Sequence, residues 1–192
     1  MSSDASSARV RVWDLPTRLV HWALAVLVLV AWLTGGERMD IHRYAGYGIL
    51  GLVVFRLYWG VAGGSTARFS EFVKGPGTVL AYVRGWRAAP ASFGHNPLGA
   101  LSVLLLVILL ISQIGLGLFA VDVDGLESGP LARFITFETG RKAADLHELN
   151  FRLLQAAIVL HLVAIAAYAL FKRRNLVGPM VTGRDATAGL EG

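Results

Sequence analysis

The chain has 192 residues, 55% hydrophobic and 16% charged, with a mean hydropathy of +0.57 and no cysteine. A soluble domain of this size carries more charge and shorter apolar runs, so the composition indicates a membrane protein. The missing thiols exclude disulfides, iron–sulfur clusters, c-type haem attachment and thiolate zinc sites. The net charge of +5 does not indicate nucleic acid, because the basic residues flank apolar segments as topology signals do.

Four apolar segments are each near the ~20 residues that cross a ~30 Å hydrocarbon core. The expected helices run about 17–35, 42–62, 96–121 and 146–172, in one domain over 1–192, with short disordered tails at 1–8 and 185–192. They lack the alternation of barrel strands, so only helices satisfy the backbone in lipid. The first helix carries His21, Trp22 and Trp32 and lacks a convincing small-residue cleavage site, which argues against a signal peptide. The second opens near His42, contains Arg56, and has small surfaces at Gly46, Gly48 and Gly51. The inner connection 63–95 includes GTVLAYVRGW (77–86), expected as a short interfacial helix anchored by Tyr82 and Trp86, and ends at His95. Asn96 suits a cap for the third helix and Pro97 its first position; Gly115 and Gly117 lie further along. Small residues of this kind admit a macrocycle close to the backbone or simply pack helices together. The outer connection 122–145 contains PLARFITF (130–137), expected as a second interfacial helix, and Asp122 and Asp124, read as solvated charge. The fourth helix carries His147 and His161.

With the N-terminus inside, Arg9, Arg11, Arg18, Arg68, Lys74, Arg84, Arg87, Lys172, Arg173, Arg174 and Arg184 lie on the inner side. Arg38, Arg43, Arg133, Arg141 and Lys142 lie outside, while Arg56 and Arg152 fall within helices. This bias places both termini in the cytoplasm. The acids gather on the outer side, from Glu37 and Asp40 to Asp145 and Glu148, and give that face negative charge.

His147 and His161 are fourteen residues apart, which at ~100° per residue returns to one face within about 40° and separates them by roughly 21 Å. Ionisable residues inside such a segment are functional by default. Depth pairs His42 with His147 on the outer side and His21 with His161 on the inner side. Two imidazoles from facing helices hold a b-type haem without a covalent link, so the four histidines read as two haems in series. His95 precedes a helix start on a loop and is the alternative inner ligand; otherwise it contacts a propionate, a quinone or the helix start. Arg56 lies fourteen residues after His42, which puts it near the inner haem, where a propionate would pair with it. Snorkelling to inner phosphates, helped by Trp59, is the competing reading. Arg18 and Arg152 are weaker candidates for the same cofactor-binding role.

The segments VWDLPTRLVHW, HRYAGYGILGLVVFRLYWG, ARFSEFVKGP, GHNPLGALSV and HELNFRLLQAAIVLH, with the closing RRNLVGPMVTGR, resemble the bacterial cytochrome b561 family, which includes the b-type cytochrome subunits of nickel–iron hydrogenases. The resemblance runs from about Val12 to Arg184. It implies an all-α integral membrane protein, a four-transmembrane-helix bundle with two b haems. By similarity, His21 and His161 ligate the inner haem iron, and His42 and His147 the outer one. The resemblance further implies a multi-pass protein of the bacterial inner (cytoplasmic) membrane, of oxidoreductase type, moving electrons between quinone and a periplasmic redox partner. That partner would be a c-type cytochrome or a hydrogenase-like subunit. Rival expectations are a superoxide:quinone oxidoreductase acting at the outer haem, a haem-bearing anchor that docks a soluble subunit, and a small histidine-relay transporter without haem. The acid-rich outer loops argue mildly against superoxide, since an anion is steered by positive potential.

Overall fold

The computed structural model describes residues 10–85, 97–123 and 127–185. Its helices are α1 (Leu15–Thr34), α2 (Met39–Ala62), α3 (Phe69–Phe72), α4 (Pro76–Arg84), α5 (Pro97–Phe119), α6 (Phe137–Phe171) and α7 (Val177–Thr182). Two short strands, β1 (Val10–Arg11) and β2 (Arg184–Asp185), pair antiparallel. Four of the helices, α1, α2, α5 and α6, are long and apolar enough to cross a membrane. Large apolar side chains on them, such as Leu19, Val54, Ile108, Leu160 and Leu170, are exposed. In water so much apolar surface would drive association; in lipid it is ordinary, because acyl chains are as apolar as leucine.

The helix ends follow local chemistry that the apolar pattern alone does not show. α1 starts at Leu15, two residues before the expected 17, because the Asp14 carboxylate accepts the Thr17 backbone N–H at 2.9 Å as an N-cap. α2 starts at Met39 because the turn after α1 is tight, with Gly36 at φ +91°. α6 begins at Phe137, nine residues before the expected 146. Thr136 caps it, its hydroxyl accepting the Thr139 N–H at 3.2 Å, and its polar first turns carry the Lys142–Glu138 and Arg141–Asp145 pairs. At 35 residues it is about 52 Å long, far more than a hydrocarbon core needs.

The expected helix over 130–137 is replaced by a three-residue 3-10 turn, Ala132–Phe134. Its entry is held against the end of α5: Gly129 N–H donates to the Ala120 carbonyl at 2.7 Å and Leu131 N–H to the Leu118 carbonyl at 2.9 Å. The Leu118 carbonyl is in the last turn of α5, where helical carbonyls lack a partner in their own helix, so the segment acts as a backbone cap. The segment expected at 77–86 overlaps α4, which starts one residue earlier and whose Tyr82 hydroxyl meets that of Tyr168. Burial first, then this hydrogen bond, raises the Tyr82 pKa above its ordinary value and keeps the phenol protonated. Trp86, His95, Asn96 and Asp124 lie outside the described residues, as do the expected tails apart from Asp185. That residue is ordered by β1 and by an ion pair with Arg174 at 3.0 Å.

The chain divides into two compact units whose boundaries fall inside the long helices. The first comprises Met1–His21, Leu57–Leu101 and Val163–Gly192. In it the Gly183 carbonyl accepts from Val12 N–H at 2.9 Å and Trp13 N–H at 3.3 Å, and Trp59 donates to the Asp14 carboxylate at 2.8 Å. The second comprises Trp22–Arg56 and Ser102–Leu162. Its core is Ile49 and Val53 of α2, Leu110 of α5 and Leu154 of α6, backed by Leu24, Leu27 and Val28 of α1. Four helix segments therefore pack on one another here. At Gly48 the Leu27 side chain packs against bare backbone, 2.8 Å from where a Cβ would stand.

Candidate haem-binding site

Two of the histidines meet inside the second unit. The tight turn after α1 carries the chain back so that His42, in the first turn of α2, reaches the end of α1. Its Nδ1 lies 2.8 Å from the Ala31 carbonyl oxygen. His147, in the third turn of α6, places its Nδ1 3.0 Å from the Gln113 carbonyl of α5. A carbonyl only accepts, so both Nδ1 atoms carry the proton and both Nε2 atoms keep their lone pairs. This is the second-sphere arrangement that fixes the tautomer of metal-ligating imidazoles.

The ring centres are 6.1 Å apart, with planes at 74°. Two imidazoles bonded to one metal from opposite sides at about 2 Å each place their ring centres roughly 6 Å apart. The rings line a cavity of about 780 Å³, within the usual range for a cofactor. Val28, Ile49, Leu110, Ile114, Phe151 and Leu154 supply its apolar walls, while Arg43, Asp122, Glu127, Arg141 and Glu148 supply its charge. Among the described residues no three of His, Asp and Glu converge as a metal cage. Two imidazoles lining one apolar cavity with cations in its lining fit a haem: the imidazole nitrogens would hold the iron, the apolar walls the ring and the arginines the propionates.

Arg43 and Arg141 were not singled out by spacing, although Arg43 adjoins His42 and Arg141 lies on the cap side of His147. Arg43 pairs with Glu127 at 3.1 Å, and Arg141 donates to the Val121 carbonyl at 3.2 Å. Asn150 was missed as well. It is buried on α6, and its amide donates to the Leu109 carbonyl at 3.0 Å and the Gln113 side chain at 2.6 Å. Its place three residues after His147, on the same side of the helix, is the signal that could have found it.

The other expected site residues fall in both units. His161, in the second unit, has its Nδ1 3.2 Å from the Ser102 hydroxyl. His21 lies half-buried on α1 in the first unit. Arg56 is 7% exposed, so it is covered by protein rather than lying along a lipid-facing surface. Arg18 donates to the Val181 carbonyl at the end of α7, and Arg152 is exposed and paired with Glu148 one turn before it.

A sequence profile described as prokaryotic cytochrome b561 matches residues 12–183. The chain belongs to that family. This cytochrome is therefore a membrane haem protein of the b type, and its four apolar helices make it multi-pass. It is 26% identical to a probable Ni/Fe-hydrogenase B-type cytochrome subunit of Azotobacter chroococcum mcd 1, over 91% of this chain and 87% of that one. A protein of the same description from Azotobacter vinelandii is 25% identical over the same shares. No solved structure matches the cytochrome significantly.

Proposed function

We propose that this cytochrome carries electrons across a bacterial inner membrane through two b haems, between the quinone pool and a redox protein on the outer face. The observation that carries the reading is the His42–His147 pair, with ring centres 6.1 Å apart and both Nδ1 atoms held on backbone carbonyls. This pair is assigned to the outer haem. The inner haem is assigned to His21 and His161, on their expected depth along the helices and on the resemblance to the family. A haem bound at the His42–His147 pair supplies one-electron redox chemistry at its iron. His42 and His147 would hold the iron, the Ala31 and Gln113 carbonyls fix their tautomers, apolar side chains wall out water, and Arg43 and Arg141 would pair with the propionates. The hydrogenase association in the names of the Azotobacter relatives makes a hydrogenase-type subunit one candidate partner, beside a c-type cytochrome.

The test is reduction of the purified cytochrome, in nanodiscs, by a quinol. Appearance of reduced b-haem absorbance, followed by reoxidation on adding an outer-face acceptor, is the expected result. Haem that a quinol leaves oxidised, although dithionite reduces it, would count against the quinone link.

A further inference from the structure

The two imidazoles of the cavity are seated by one device used twice. His42 bonds the Ala31 carbonyl, and the residue one turn after Ala31 is Gly35. His147 bonds the Gln113 carbonyl, and the residue one turn after Gln113 is Gly117. A helical carbonyl is normally screened by the side chain one turn ahead, because side chains lean back over the preceding turn. Glycine removes that screen. The two seats differ in tightness. A Cβ at residue 35 would stand 3.4 Å from His42 Nδ1, an ordinary contact. A Cβ at residue 117 would stand 2.9 Å from His147 Cε1 and 3.1 Å from its Nδ1. That ring cannot swing aside without leaving the Gln113 carbonyl.

We propose that Gly117 is a positioning residue for the outer haem: its bare Cα leaves room for the His147 imidazole against α5, with its Nδ1–H on the Gln113 carbonyl and the ring in the cavity lining. The inference rests on His147 being a haem ligand. A neighbouring glycine provides the control. A Cβ at Gly115, on the same helix, would meet nothing within 4 Å.

The experiment compares wild type, Gly115→Ala, Gly117→Ala and His147→Ala, purified with haem bound. Each is read by haem content, by redox titration and by the low-spin EPR signal of the oxidised protein. In His147→Ala one of the two redox components disappears. In Gly117→Ala that same component loses haem or shifts in both potential and EPR anisotropy, while the other stays as in wild type. Gly115→Ala matches wild type. If His147→Ala removes a component but Gly117→Ala is indistinguishable from Gly115→Ala, the inference is overturned and the ligand assignment stands. If His147→Ala keeps both components, the assignment itself is wrong. Should Gly117→Ala fail to accumulate, the double variant Gly117→Ala/His147→Ala removes the ring that the added Cβ meets. Accumulation at the level of His147→Ala supports the inference, and continued failure overturns it.

Discussion

Asn150 donates its amide to the Gln113 side chain at 2.6 Å, on the residue whose backbone carbonyl receives His147. The same amide reaches the Leu109 carbonyl one turn earlier. One buried side chain on α6 thus ties down the stretch of α5 on which an imidazole three residues away is oriented. Hydrogen bonds between helices in lipid average about 0.6 kcal/mol and reach about 1.7. Two of them from one amide are enough to select a register.

Asn150→Leu, close in volume, is therefore expected to lower stability by roughly 1–3 kcal/mol, mostly because it leaves the Gln113 amide unsatisfied in an apolar setting. Thermal loss of haem absorbance in detergent measures it. The component that depends on His147 should be lost at the lower temperature. Unchanged loss temperatures for both components would mean that the Asn150 bonds contribute nothing.

The 74° angle between the His42 and His147 rings has a spectroscopic consequence. Near-perpendicular axial imidazoles leave the two iron dπ orbitals nearly equal in energy, which gives a low-spin ferric signal of large g anisotropy. The EPR signal that vanishes in His42→Ala should be of this type. A rhombic signal characteristic of parallel imidazole planes at that site would contradict the ring orientation.

Arg56 is buried, and a fixed positive charge disfavours the oxidised, more positive form of a nearby haem. At an effective dielectric of about 20, a unit charge about 8 Å away is worth roughly 2 kcal/mol. Arg56→Gln should accordingly lower the midpoint potential of the haem that depends on His161. The His42 end of α2 is roughly 21 Å away along the helix, so the other potential should barely move. Redox titration decides; a shift confined to the His147-dependent component would contradict the placement of Arg56.

The four long helices and the histidines were legible because lipid imposes strong rules: continuous apolar runs for the spans, and a high cost for any ionisable group inside them. The start of α6 was not legible from hydropathy, since its first turns are polar and are set by Thr136 and by ion pairs one turn apart. The 130–137 segment carries Leu131, Ala132 and Arg133, which favour a helix, but its entry is taken up in capping the end of α5, a tertiary use that composition does not reveal. The pairing of His42 with His147 followed from depth alone. The carbonyls that orient the two rings, and the glycines that expose those carbonyls, emerge only when α1 is set beside α2 and α5 beside α6.

The central claim is that His42 and His147 hold one haem and that a second haem is held separately. Haem-to-protein ratio, measured by pyridine haemochrome on fully loaded wild type and on His147→Ala and His161→Ala, tests it most directly. The account predicts two haems per chain in wild type and one in each variant, with a different redox component missing from each. One haem per chain in wild type, or loss of the same component in both variants, would contradict it.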